Sequence, residues 1–341
     1  MTQATETTVA PEILARAQGC LLGQFAGEML GMPVEGMQSD DLRQLYPDGL
    51  TIISDGKTAL LPLGMNDSQP ALAQLTDDGE MAIMLARTLA EQGKFDADAV
   101  LDAYKFWWNS PAFGYGPTAQ NALERGYLDP DSQSNGGLMR ISPLGIFGVN
   151  HDPTQVADWA RQDSRLTHIH PVCQDSVAVF TVSIAHAIRT GCDGAALHRW
   201  IIDWAAESGI ADSVIDALLH ARDRKPFYPT DIGASDKPFN IPLRLWVLVA
   251  LHNAFWQLLN ADSLEAGVVD TVMLGDDTDT TAAICGALMG AVYGRQAIPA
   301  QWSDAVLNCR PHAEQPHVFK PRPDVFWPID ALALAERLVS A

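Results

Sequence analysis

Two rows of small residues set the tightest limit on how this chain folds. The pattern predicts one long helix from about Pro11 to Leu30, with Gly19, Gly23 and Gly27 along it at intervals of four and Gly31 just beyond. A second predicted helix, from Ala282 to Tyr293, repeats the spacing with Ala282, Gly286 and Gly290, and Gly294 follows it. Residues four apart share a helix face, and each glycine inside a helix costs about 1 kcal/mol relative to alanine. A whole face of them needs a compensating gain, and close approach of another helix backbone supplies one. The rows therefore predict two tightly crossed helices. In a bilayer the same spacing marks helix dimerisation, but polar flanks and a mean hydropathy of -0.00 point to a soluble core. Close crossing also brings the helix ends together, and those ends hold Glu35, in Gly31-Met32-Pro33-Val34-Glu35-Gly36, and a dense acidic stretch.

That stretch is Gly275-Asp276-Asp277-Thr278-Asp279-Thr280-Thr281, with three carboxylates and three hydroxyls in seven residues directly before an apolar helix. Such a start is too polar to bury unless a cation sits among the side chains. The plainer reading is that Asp279 or Thr280 caps the helix, as Asp and Thr commonly do. One cap accounts for one side chain, not six. A second cluster, Thr76-Asp77-Asp78, lies about two hundred residues earlier, again just before an apolar helical run, Met81 to Ala86. Two Thr/Asp clusters at two helix starts, converging on one site, would offer hard oxygen ligands suited to Mg, Ca or Mn rather than Zn.

The chain has 341 residues, 47% of them hydrophobic, enough to bury a large core, and a single domain from residue 11 onward is expected after a short flexible tail at 1–10. Net charge of -20 disfavours nucleic acid and anionic membrane surfaces as partners. It leaves a phosphate-bearing ligand open, because metal ions and helix N-termini supply local positive potential. Cys20, Cys173, Cys192, Cys285 and Cys309 lack paired or CxxC spacing and read as reduced, mostly buried thiols of a cytoplasmic protein. No 18 consecutive apolar residues occur, and the N-terminus lacks a basic, hydrophobic leader, so neither a membrane span nor a signal peptide is expected.

Helices dominate the rest. They are expected at Met81–Glu91 closed by Gly93, Ala97–Trp108 with Phe106 and Trp107 in the core, and Asp152/Pro153 to Asp163. Others are expected at Pro171–Arg189 closed by Gly191, Gly194–Glu207, Asp212–Asp223, Pro242–Leu259, Ser263–Met273, Pro299–Asn308 and Pro328–Val339. Trp246, Phe255 and Trp256 read as core residues. From Ser39 to Leu75 the pattern is irregular, with one short hairpin around Thr51–Ile53. The expected class is all-α. Two loops have chemistry to offer: Phe113-Gly114-Tyr115-Gly116-Pro117, a plain turn or a place where ligand nears backbone, and Ser134-Asn135-Gly136-Gly137-Leu138-Met139-Arg140, rich in N–H donors for a phosphate. His168 and His170 read as hydrogen-bonding or stacking residues more readily than as zinc ligands, since no third nitrogen or sulfur ligand accompanies them.

Taken in order, Gly19-Cys20-Leu21-Leu22-Gly23, Gly31 to Glu35, Thr76-Asp77-Asp78, Asn135 to Arg140, Thr167-His168 and Gly275 to Thr280 are similar to the motifs of the ADP-ribosylglycohydrolase family, over residues 15–297. The resemblance implies an all-α orthogonal bundle with two Mg or Mn ions in a central cleft, and hydrolysis of the glycosidic bond at C1'' of an ADP-ribosyl group. It implies one ligand set in Thr76, Asp77 and Asp78 and another in Asp277, Asp279 and Thr280, with Asp279 bridging. Glu35 is then the candidate to take a proton from attacking water or to contact the ribose, with Asp78 as a second catalytic candidate. Asn135, Gly136, Gly137 and Leu138 are expected to wrap the diphosphate and ribose, His168 to line the adenosine side, and Gly114, Tyr115 and Gly116 to lie near the distal ribose. The implied substrate is an ADP-ribosylated protein, arginine-linked first of all, or a small ADP-ribosylated molecule, with ADP-ribose as product; a serine, small-guanidine or nucleobase linkage is the alternative, as is a weak ADP-ribose binder. The ligand set alone does not separate this chemistry from P–O cleavage. Three departures from the family pattern stand out: Glu28 where Asp is common, Gly79 where Thr or Ser is, and Asp276 where Gly is.

Overall fold

The computed structural model describes residues 9–50, 53–54, 59–61, 71–72, 74–226, 245–315 and 317–341. Among them run fifteen α-helices, and the fold is all-α with one small sheet. The tail before residue 9, the hairpin residues Thr51 and Ile52, most of the polar connection from 224 to 240 and the expected helix start at Pro242 lie outside the described residues.

At the centre stand α1 (Pro11–Gly31) and α13 (Thr278–Tyr293). Every residue from Ala17 to Gly31 and from Thr278 to Ala291 is buried, so both helices are enclosed on all sides. They run antiparallel with the glycine rows face to face. A Cβ added at Gly23 would stand 2.2 Å from the Gly286 carbonyl oxygen, and one at Gly19 would stand 2.5 Å from that of Gly290. At Gly27 it would meet the Ala282 oxygen at 2.2 Å, and at Gly31 the Asp279 nitrogen at 2.4 Å. No side chain fits between the backbones at these four rungs, which is the close crossing that the spacing predicts.

Around this pair, α3 (Asp77–Gln92), α6 (Ser142–Phe147), α8 (Pro171–Thr190), α14 (Ala300–Asn308) and α15 (Ala331–Ser340) pack on α1, while α8, α11 (Val247–Asn260) and α12 (Leu264–Val272) pack on α13. The remaining helices are α2 (Ser39–Leu45), α4 (Ala97–Asn109), α5 (Pro117–Arg125), α7 (Pro153–Arg165), α9 (Gly194–Glu207) and α10 (Asp212–His220). The buried apolar side chains form one continuous cluster. Among the described residues α8 alone is long and apolar enough to cross a bilayer, and most of it is buried within the protein.

Local chemistry explains most boundaries. Asp96, Asp152, Asp193 and Ser263 accept backbone N–H bonds at the starts of α4, α7, α9 and α12. Three helices are left out by the pattern: α2 and α5 bury only Leu42 and only Ala119 with Leu123, too few apolar side chains to show a period, and the short α6 is buried on every side, so it has no polar face to set one. Near Thr51–Ile53 the chain forms β1 (Ile53–Ser54), β2 (Ala59–Leu61) and β3 (Ala71–Leu72), a three-stranded antiparallel sheet in that order. Phe106 corrects the expected core: it is 54% exposed, whereas Val100, Tyr104 and Trp107 of the same helix are fully buried. Those three share one face at intervals of four and three, and Phe106 is rotated about 100° from Trp107. Phe255 is core, but Trp246 and Trp256 are only partly buried. Cys20, Cys173, Cys285 and Cys309 are buried, Cys192 is partly so, and all five thiols are free.

Candidate functional site

The antiparallel register of α1 and α13 sets the C-terminal end of one against the N-terminal end of the other. Thr278 Oγ1 donates to the Gly31 carbonyl at 2.8 Å and ties the two ends together. One turn of 3-10 helix, Met32–Val34, then carries the chain to Glu35. Just beyond, the segments zip antiparallel: Gly36 N donates to Asp276 O at 2.7 Å, and Asp276 N to Met37 O at 2.8 Å. Gly275 (φ +84°) and Asp276 (φ +63°) are both left-handed. The aspartate tolerates that conformation better than most side chains, and its Oδ1 accepts from Gln38 Nε2 at 3.0 Å. These contacts throw Asp277 and Asp279 inward, so that carboxylate oxygens of Glu35, Asp277 and Asp279 lie within 4.8 Å of one another.

Capping does not explain either acidic cluster. Asp277 and Thr76 occupy the N-cap positions of α13 and α3, and neither side chain makes a cap hydrogen bond. Asp277 Oδ2 instead accepts from Asn135 Nδ2 at 2.6 Å. Thr76 Oγ1 donates to Glu28 Oε1 at 3.0 Å and lies 3.4 Å from Asp78 Oδ2. The Oδ1 atoms of Asp78 and Asp279 are buried with no hydrogen-bond partner among the described residues. Burial, then mutual repulsion, raises Asp77, Asp78 and Asp277 well above the usual carboxylate range. Asp279 is raised too, by burial. Enclosed carboxylate oxygens lacking donors are what a hard cation satisfies, so the donor set fits a divalent metal. Glu35 is the most accessible of the group, at the open side.

From this cluster a cleft of about 510 Å³ extends outward. Glu35, Asp77, Asp277, Asp279 and Thr280 line it together with Gly114, Tyr115 and Gly116 of one loop and Asn135, Gly136 and His168. Gly114 (φ +83°) needs to be glycine, since a Cβ there would stand 2.8 Å from Asp77 Oδ1. At Gly116 an added Cβ would meet nothing within 4 Å, so that stretch of backbone is open to a ligand. Tyr115 is braced edge-on against Trp108, with centroids 4.5 Å apart. His168 is neutral, pushed down to about 3 by burial and then by the Arg140 charge. Its ring nitrogens pair with Thr167 Oγ1 at 2.7 Å and Ser134 Oγ at 2.9 Å.

Thr76, Asp77, Asp78, Asp277, Asp279, Thr280 and Glu35 thus come together as the sequence suggests. Two expected wall residues do not reach the cleft. Leu138 is fully buried in the core, and the Cα hydrogen side of Gly137 faces Ser164 and Val177, because the tight Asn135–Gly137 turn presents only its first residues outward. The Asn135 amide is also differently used: it holds Asp277.

Three contributors escaped the sequence reading. Arg322 forms a buried ion pair with Glu80, Nε to Oε1 at 2.8 Å and NH2 to Oε2 at 2.7 Å. Trp107 Nε1 donates to the same carboxylate at 2.8 Å. Arg322 also reaches the carbonyls of Ser110 and Pro111, so the proline-rich strip near the C-terminus clamps the first turn of α3 to the loop that leads into Gly114. Nothing local marks a pair 242 residues apart.

The class that fold and site define is an all-α protein whose two Thr/Asp helix starts meet a glutamate at a cleft of about 510 Å³. The ADP-ribosylglycohydrolase family model matches residues 10–339, and the chain belongs to that family. It is 25% identical over 301 residues to the ADP-ribosyl-[dinitrogen reductase] glycohydrolase of Rhodospirillum rubrum, covering 86% of this chain and 90% of that one. It is 26% identical to the ADP-ribosylarginine hydrolase Tri1 of Pseudomonas putida, covering 89% and 78%. Among solved structures, an ADP-ribosylglycohydrolase-related protein complex superposes with a TM-score of 0.69 at 25% identity, covering 97% of this chain and all of that one.

Proposed function

We propose that this chain is a divalent-metal-dependent hydrolase that releases ADP-ribose by cleaving the glycosidic bond at C1'', with ADP-ribosylarginine in a protein as its substrate. Family membership and relatives named for ADP-ribosylated dinitrogen reductase and ADP-ribosylarginine support the reaction class and the linkage. The observation that carries the reading is the convergence of Glu35, Asp277 and Asp279 within 4.8 Å at the cleft, beside oxygens of Asp78 and Asp279 that lack a hydrogen-bond partner among the described residues.

Thr76, Asp77 and Asp78 would hold one Mg or Mn ion and Asp277, Asp279 and Thr280 a second. When bound, such ions polarise sugar hydroxyls and stabilise charge that develops at the reacting centre. The protein's own groups do the rest. Glu35, accessible beside the cluster, takes the proton of the water that attacks C1'' as the C1''–N bond to the guanidinium breaks through an oxocarbenium-like state. The Asn135 amide fixes the rotamer of Asp277. Gly116 lets the substrate lie against bare backbone, Gly114 keeps a side chain off Asp77, and neutral His168 braces the Ser134–Gly136 turn without adding charge.

Chromatography of the products from an ADP-ribosylarginine protein tests the bond cleaved. Intact ADP-ribose supports C1'' hydrolysis; AMP would replace it with cleavage of the diphosphate.

A further inference from the structure

We propose that Glu28 and Gly79 form a matched pair that positions Thr76 as a metal ligand, so that neither residue is replaceable without the other. This rests on the metal-binding reading above. Glu28 projects from α1 with no solvent exposure. Its Oε1 accepts both the backbone N–H of Thr76 and, at 3.0 Å, the Thr76 hydroxyl. A threonine hydroxyl has one proton and two lone pairs. Giving the proton to Glu28 turns the lone pairs away from Glu28, on the side of the carboxylate cluster. An ionised acceptor would also make the hydroxyl oxygen a better donor to a cation, as outer-layer carboxylates do for other metal ligands.

The other carboxylate oxygen sets the second half of the pair. A Cβ on residue 79 would stand 2.4 Å from Glu28 Oε2 and 2.9 Å from both Leu75 methyls. Both neighbours crowd that Cβ, so a side chain at 79 would press on the fully buried Glu28 carboxylate and drive it off Thr76. An aspartate at 28 would be one methylene too short to hold both Thr76 groups, but it would vacate the space that a small side chain at 79 needs. The two departures from the family pattern noted in the sequence are in this sense a single change.

Calorimetric titration of the purified protein with MgCl2 and with MnCl2, together with melting of the metal-free forms, tests the pairing on wild type, Glu28→Gln, Glu28→Asp, Gly79→Ser and Glu28→Asp/Gly79→Ser. Each single variant is expected to bind about 10- to 100-fold more weakly, the usual effect of losing an outer-layer partner. The double variant is expected to bind more tightly than Gly79→Ser alone. Metal-free Glu28→Gln should melt no lower than wild type, because burial already disfavours charge on the glutamate and glutamine keeps an oxygen that accepts from Thr76, and that separates positioning from simple structural damage. Single variants that bind as wild type does, or a double variant whose losses add, would overturn the pairing while leaving the metal site standing. A wild-type protein that binds neither ion would overturn the metal reading and the pairing with it.

Discussion

Replacing Gly31 with alanine separates what the central helix pair does for stability from what it does for the site. An ordinary contact needs about 3.4 Å, and the new Cβ would stand 2.4 Å from Asp279 N and from Thr278 C and O, so the start of α13 must retreat by about 1 Å. Gly19→Ala is the matched control: it overlaps Gly290 O at 2.5 Å, nearly as badly, but at the far end of the same interface. Overpacking of this kind costs about 1–3 kcal/mol, and the better helix propensity of alanine returns about 1 kcal/mol. Both variants should therefore fold, with similarly lowered melting temperatures. Their activities should diverge. A shift of about 1 Å in catalytic groups costs on the order of 100-fold in rate, which is about 2.7 kcal/mol of barrier. Gly31→Ala is expected to lose that much kcat/KM for ADP-ribose release, while Gly19→Ala, assayed well below its melting point, stays within a few-fold of wild type. Equal activities in the two variants, or an inactive Gly19→Ala with an active Gly31→Ala, would refute the link between the glycine register and the geometry at Asp279.

Asp279→Ala should abolish Mg binding and turnover together while the metal-free protein melts no lower than wild type; calorimetry and melting check both halves. Arg322→Met strands the buried Glu80 carboxylate and should cost about 3–5 kcal/mol in urea unfolding, most of it recovered in Glu80→Gln/Arg322→Met. The carboxylates Asp77, Asp78 and Asp277 are raised in the folded metal-free protein. Folding therefore takes up protons: their favourable contribution is full below the unfolded carboxylate values and is lost as pH rises through the folded ones. Chelated protein should thus weaken from mildly acidic to mildly alkaline pH, and the stabilisation by added Mg should grow over the same range, because metal displaces those protons. A Mg-induced shift in melting temperature that shrinks as pH rises would contradict this.

The parts of the fold that depend on short-range periodicity were legible. Gly19, Gly23 and Gly27 announce a bare helix face, Gly286 and Gly290 its partner, and steric exclusion makes their pairing nearly obligatory. The Thr/Asp clusters were legible for a similar reason, since so many buried oxygens at a helix start demand a compensating charge. What the sequence hides is which polar groups meet across long separations. Glu80 looks like one more first-turn acid until Arg322 arrives from the C-terminal strip. The lack of room for a side chain at Gly79 beside the carboxylate of Glu28 depends on how α1 and α3 cross, which no spacing records. The loop of Leu138 reads as uniformly ligand-facing, whereas one tight turn puts Asn135 and Gly136 at the cleft and buries the Leu138 side chain. Phe106 and Trp107 are equally apolar neighbours, and only the phase of the helix decides which one is buried.

The most direct test of the proposed chemistry is the release of ADP-ribose from an ADP-ribosylarginine protein and, in parallel, from an ADP-ribosylserine peptide, each with Mg and with excess chelator. The expected result is Mg-dependent release from the arginine linkage that chelation abolishes. Undiminished release in the presence of chelator would contradict the role given to Thr76, Asp77, Asp78, Asp277, Asp279 and Thr280, and release from serine alone would contradict the proposed linkage.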